Sequence, residues 1–169
     1  LEDANTTIDA CAEDIYKRTF DFVLGEVYYY GPSHMQILAA IAQAATGESW
    51  AQIYQTRVAQ PLGMEDTVYN WPSVSNARIS AGAVTNLQDF QRFAEAMLTN
   101  PYWPTTWSEM VIDHTPNDSV MMQFTPMSNP SRGWHYGLGV WLECMNPDWE
   151  ESCNTVGVIS ASGLFGFHL

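Results

Sequence analysis

The chain has 169 residues, 46% of them apolar and 15% charged, enough to bury one core and unlike the composition of a disordered or collagenous chain. Six Lys and Arg against 19 Asp and Glu leave a formal charge of −13, whose field repels phosphate backbones and argues against nucleic acid as a partner. No apolar run approaches the ~18 residues of a membrane span, and the acidic start LEDANTTIDACAED is unlike a secretory leader.

The first predicted element is a helix from Thr7 to about Phe20, carried by Ile8, Cys11, Ala12, Ile15 and Phe20. From Ser33 to Gly47 the signals are stronger. Ser33 and Gln36 stand at capping-box spacing, Met35, Leu38, Ile41, Ala42 and Ala45 recur on one face, and Gly47 supplies the stop. A further helix starts at the Ser49 cap, shows Trp50, Ile53, Tyr54 and Val58 on one side, and is expected to end before Pro61, which cannot donate to the ladder. Asn86 caps the next, with Asp89 favourable against its dipole and Leu87, Phe90, Phe93, Ala94, Met97 and Leu98 facing inward as far as Asn100-Pro101.

Residues 101–133 are rich in Pro, Asn, Asp and Ser and read as a long surface excursion with short elements. The period then changes. Trp134–Glu143 and Thr155–Ala161 are aromatic and β-branched, and each is expected to form one strand, the two joined as an antiparallel hairpin. Cys144 and Cys153 bracket the connection, so a bridge between them and two free thiols are both open; Cys11 is the odd third cysteine. An acidic, Trp-rich chain with one lysine fits a secreted or extracytoplasmic protein. The start at Leu1 and the apolar stop at Phe167-His168-Leu169 read as those of a fragment, incomplete at both ends, whose open sheet edges favour association.

Five landmarks occur in order over residues 28–169. They are Tyr30-Gly31-Pro32 leading into a helix that ends at Thr46-Gly47, then Pro61-Leu62-Gly63-Met64-Glu65-Asp66-Thr67, and Gly82 followed by a short strand and Leu87-Gln88-Asp89-Phe90. Tyr136-Gly137-Leu138-Gly139-Val140-Trp141 and Ser162-Gly163-Leu164-Phe165-Gly166-Phe167 complete the set. Together they resemble the serine β-lactamase-related family: class C β-lactamases, DD-peptidases and their esterase relatives. The resemblance implies an α+β fold of β-lactamase/transpeptidase type. Its helical region would span 1–110 and carry the tyrosine motif, 111–133 would be a long loop, and 134–169 would supply the first strands of the antiparallel sheet, all within one domain.

The same resemblance implies a serine hydrolase that acts on a small-molecule ester or amide through an acyl-enzyme, with no cofactor and no metal. Tyr30 matches the motif tyrosine, a phenol that passes protons between nucleophile and leaving group. Leu164 would offer its backbone N–H as an oxyanion donor, and Ser162 and Gly163 would line the substrate edge. The sequence departs from the pattern in three places. Its one lysine, Lys17, has Asp14 three residues before it, so the chain holds no Ser-x-x-Lys nucleophile and should be inactive alone. Pro32 stands where the motif has an asparagine, and Ala161 where the third motif has a basic residue. Pro32 puts a lactamase or peptidase in doubt more than an esterase, Ala161 removes a cation for the substrate's carboxylate, and both suit a non-catalytic relative whose degenerate site serves as a binding surface. An unrelated helical interaction protein is the third reading.

Other residues are better explained by structure. His34, in the first turn of its helix, reads as a partly exposed helix residue before an acid or base. Asp113-His114 with Asn117-Asp118 matches neither zinc nor EF-hand spacing. Asp148, Glu150 and Glu151 suit a solvated turn, and Trp134, Trp141 and Trp149 suit core and rim packing.

Overall fold

The computed structural model describes residues 3–19, 23, 25–99, 103–115, 134–143 and 158–161, together with the backbone of 121–123. Contacts divide the chain into two compact units, residues 1–20 with 31–99 and residues 21–30 with 100–169.

The first unit is helical. Helix α1 (Ile8–Tyr16) starts at Thr7, whose side chain accepts from the Ala10 N–H at 3.2 Å, and it buries Ile8, Cys11 and Ala12 against α2 (Ser33–Thr46). It ends four residues short of Phe20. Helix α2 closes as expected at Gly47, whose φ is 73°. Its start and its inward face both differ from the sequence reading. Pro32 is the N-cap and makes no side-chain cap bond, and Gln36 is buried rather than reaching back to the cap.

Gln36 Nε2 donates to Asn76 Oδ1 and to the Ala77 carbonyl, both at 3.1 Å, while its Oε1 accepts from the Ile79 N–H at 3.3 Å. Gln36 and Ala39 therefore face inward, and Leu38 and Ile41 are more than half exposed. Apolar residues run almost all round this Ala-rich helix, so periodicity alone could not choose the face; the polar anchorage of segment 73–79 does. Gln36→Leu should lower stability by about 2–4 kcal/mol, because it leaves two buried acceptors and one N–H unpaired. Denaturant unfolding at fixed slope measures it.

The capping box at Ser49 is present: Gln52 N–H reaches Ser49 Oγ, and Ser49 N–H reaches Gln52 Oε1 at 3.0 Å. Helix α3 (Trp50–Tyr54) does not stop before Pro61. It widens into a π-helical turn, Gln55–Ala59, and resumes as α4 (Gln60–Leu62), with Pro61 in the first turn of the new segment, where the missing N–H costs least.

Strands β2 (Val68–Tyr69) and β3 (Ala83–Val84) pair antiparallel, and α5 (Leu87–Thr99) follows. The Asn86 cap forms, Asp89 N–H donating to Asn86 Oδ1 at 2.8 Å. The inward face of α5 is rotated from the expected one. Asp89 and Ala96 are buried, whereas Leu87 and Leu98 are more than four-fifths exposed. A polar residue again decides the orientation. Asp89 Oδ2 accepts from the Asp66 N–H at 2.8 Å and from Thr67 Oγ1 at 2.9 Å, and Oδ1 accepts from Arg92 at 3.0 Å. Arg92 also donates to the Gly63 carbonyl at 2.6 Å, and the Thr67 and Thr85 hydroxyls lie 2.7 Å apart. The landmarks at 61–67 and at 82–90 are thus one buried junction. Gly82 belongs to it sterically, since a Cβ there would lie 2.5 Å from the Arg78 carbonyl oxygen.

The second unit holds β1 (Val27–Tyr29), parallel to β4 (Met121–Gln123), helix α6 (Pro104–Met110), and an antiparallel sheet in the order β5 (His135–Tyr136), β6 (Trp141–Glu143), β7 (Val158–Ser160). The run 134–143 is therefore two strands and a tight turn, not one strand. Gly137 N–H bonds the Val140 carbonyl at 2.9 Å, with Leu138 and Gly139 as the loop and Gly139 at φ 81°. Strand β7 pairs with β6 as expected, Trp141 opposite Ser160. Cys144 and Cys153 lie outside the described residues; Cys11 is free and buried.

The turn sits on the end of α6, where the Leu138 N–H bonds the Met110 carbonyl at 2.9 Å. A Cβ on Gly137 would come within 2.0 Å of that same oxygen. Gly137→Ala should therefore destabilise by roughly 1–3 kcal/mol through backbone displacement, read as a lowered unfolding midpoint.

Candidate active site

The site is built from alternate residues of β1 and the hairpin β5–β6. Tyr28 and Tyr30 are two apart, so both point to one side of an extended segment. Tyr136 and Trp141 are cross-strand partners on the facing hairpin, their rings 4.7 Å apart in a T-shaped contact. Tyr28 lies 5.1 Å from Tyr136, ring to ring, and donates its hydroxyl hydrogen to the Tyr136 oxygen. Tyr30 stacks on Trp141 at 5.6 Å and 30°, and meets Tyr136 edge-on at 6.1 Å and 86°. Trp134 extends the group, 6.4 Å from Trp141.

The three phenols differ in what they can do. Burial pushes the Tyr28 hydroxyl far above its ordinary range, aided by the neighbouring Tyr136 and by the hydrogen bond Tyr28 donates. Burial also raises Tyr136, as does nearby Tyr30, and the bond accepted from Tyr28 only partly offsets this. Both stay neutral at ordinary pH. Tyr30 is 36% exposed, and among the described residues its hydroxyl has no hydrogen-bond partner.

Ala161 follows the last residue of β7, half-buried. Ser162, Gly163 and Leu164 lie outside the described residues, as do Asn117, Asp118, Asp148, Trp149, Glu150 and Glu151. Pro32 offers neither an amide side chain nor an N–H, and it serves as the N-cap of α2. His34 has its basicity lowered by burial, opposed by a hydrogen bond to the Gly31 backbone, so it is neutral at pH 7. Lys17 forms an exposed ion pair with Glu13 at 2.7 Å, the geometry of an (i, i+4) surface pair.

Both oxygens of Asp113 are engaged within the protein. One oxygen contacts His135 Nδ1 and the other accepts from the Thr115 N–H at 2.9 Å, while the Thr115 hydroxyl accepts from the Tyr136 N–H at 2.9 Å. This network ties the segment after α6 to β5, and sequence spacing did not show it because its partners are more than twenty residues apart. Among the described residues no three His, Cys, Asp or Glu come together as a metal site, and no helix is long and apolar enough to cross a membrane.

Helices packed around polar junctions, a short antiparallel sheet and a motif tyrosine at the head of a helix define a protein of the β-lactamase/transpeptidase fold. The chain belongs to the beta-lactamase family, whose family model matches residues 2–167. Three solved structures share the fold. A protein from Bacteroides dorei DSM 17855 provisionally named a beta-lactamase aligns with TM-score 0.76 at 24% identity, over 98% of this chain and 52% of that one. A penicillin binding protein from Bacillus halodurans aligns with TM-score 0.60 at 13% identity, over 97% of this chain and 58% of that one. A D-stereospecific amidohydrolase from Streptomyces sp. gives TM-score 0.54 at 16% identity, over 89% and 44%. The chain spans about half the length of each. No curated protein matches it.

Proposed function

We propose that this chain is part of a serine hydrolase that cleaves a small ester or amide through an acyl-enzyme, Tyr30 acting as proton relay. The observation that carries the reading is the split among the tyrosines. Tyr28 spends its hydroxyl hydrogen on Tyr136, whereas Tyr30, the residue matching the family tyrosine, has its ring stacked on Trp141 and no hydroxyl partner among the described residues. The nucleophilic serine and its lysine come from residues beyond these 169. In the reaction the serine attacks the carbonyl, its proton passes toward Tyr30, and the phenol returns a proton to the leaving group. The Leu164 N–H serves the oxyanion, and Ser162 with Gly163 the substrate edge.

An ester substrate fits better than a β-lactam or peptide. Pro32 cannot bond a substrate amide, and Ala161 supplies no cation for a substrate carboxylate. Those same two residues support the second reading, a non-catalytic relative whose degenerate site serves as a binding surface. The test is to incubate the longer protein containing this chain with a fluorophosphonate and with a fluorescent penicillin, and to follow intact mass. A covalent adduct on a Ser-x-x-Lys serine is the expected result; a well-folded protein that takes neither probe overturns the hydrolase reading.

A further inference from the structure

Trp141 packs against Tyr30, Tyr136 and Trp134. It is 1% exposed, its ring is stacked under Tyr30, and Tyr136 packs edge-on against it. Its backbone is paired in register with Ser160, one residue before Ala161. Trp141 therefore links the stacking face that holds the phenol to the strand leading into 161–164. Tyr30 itself lies just past the end of β1, and its ring rests on the aromatic rings beside it.

We infer that Trp141 is a positioning residue for Tyr30: it sets where the phenol oxygen stands, and acts on the reaction only through that oxygen. This rests on the hydrolase reading above. A buried tryptophan with only a packing role would slow the enzyme by loosening the fold, whatever residue stands at 30. A positioning role predicts that its effect vanishes once the Tyr30 hydroxyl is gone.

The experiment is a double-mutant cycle in the longer protein, reading the acylation rate with a fluorophosphonate. Trp141→Leu should slow acylation by about 10- to 100-fold, the scale of a reacting group displaced by about 1 Å. In the Tyr30→Phe background the same change should alter the rate less than about twofold, since no hydroxyl is left to misplace. Trp141→Phe fills more of the core and guards against loss of folding. It should slow the parent about threefold to tenfold and the Tyr30→Phe variant hardly at all. Losses that simply multiply in the double variants would overturn the inference.

A second readout does not depend on activity. With 3-fluorotyrosine at position 30, the fluorine line of the parent should be shifted by the stacked indole and should move toward its unfolded position in Trp141→Phe or Trp141→Leu. An unmoved line in a folded variant refutes the positioning role. If the parent takes no covalent probe, the hydrolase reading fails by itself, and the fluorine line still decides whether Trp141 holds Tyr30.

Discussion

Asp89→Ala is expected to lower the melting temperature by roughly 10 °C or more, the largest stability loss of any single polar substitution considered for this chain. The reason is arithmetic in hydrogen bonds. Three donors converge on this carboxylate: the Asp66 N–H, the Thr67 hydroxyl, and Arg92, which also donates to the Gly63 carbonyl. Removing the acceptor strands the Thr67 hydroxyl and the Asp66 N–H against a buried surface, and frees Arg92 from α5's inward face. Burial alone would raise the Asp89 pKa. The bonds from the Asp66 N–H, Thr67, Arg92 and the Glu65 N–H outweigh it and hold the carboxyl below its ordinary value.

The sign of the pH dependence follows. A folded pKa below the unfolded one means the stabilisation is complete above the unfolded value, near 4, and is lost as pH falls through the lower folded value. Thermal unfolding followed between pH 7 and pH 2 should show an acid loss that Asp89→Asn flattens, the variant being weaker at neutral pH and less sensitive to acid. Equal acid slopes in parent and variant would mean that Asp89 is not the group responsible.

Tyr30→Phe is expected to slow acylation by about 10²- to 10⁴-fold, the contribution of a positioned general base, with substrate affinity little changed. Stability should move by less than about 0.5 kcal/mol, because the ring that Trp141 and Tyr136 hold is retained and the lost hydroxyl has no partner among the described residues. That pairing of a large kinetic loss with an unmoved melting temperature separates a reacting group from a packing one. Tyr28→Phe should do the reverse. It removes the hydrogen bond to Tyr136, costs about 0.5–1.5 kcal/mol, and leaves acylation within a few fold of the parent.

Local chemistry made several elements legible in the amino-acid sequence. The Ser49 capping box, the Asn86 cap and the Gly47 stop all form, because each depends on atoms within four residues of one another. The pairing of β6 with β7 was legible in two short aromatic and β-branched runs, although the first of them is two strands and a turn. The order of landmarks was enough to indicate the family before any geometry was known.

Which face each helix buries was decided only by the tertiary structure. In α2 and α5 a polar side chain, Gln36 or Asp89, faces inward because distant segments, 76–79 and 66–67, bring it the partners it needs. Hydrophobic periodicity ranks such residues as outward, so it turned Leu38, Ile41, Leu87 and Leu98 the wrong way. The same holds at the site. Tyr30 could be marked from its motif, but that its ring rests on Trp141, and that Tyr28 donates its hydroxyl to Tyr136, follows from a hairpin folding back more than a hundred residues later. Contacts of that separation leave no period in a sequence; they exist only once the strand register has placed the rings.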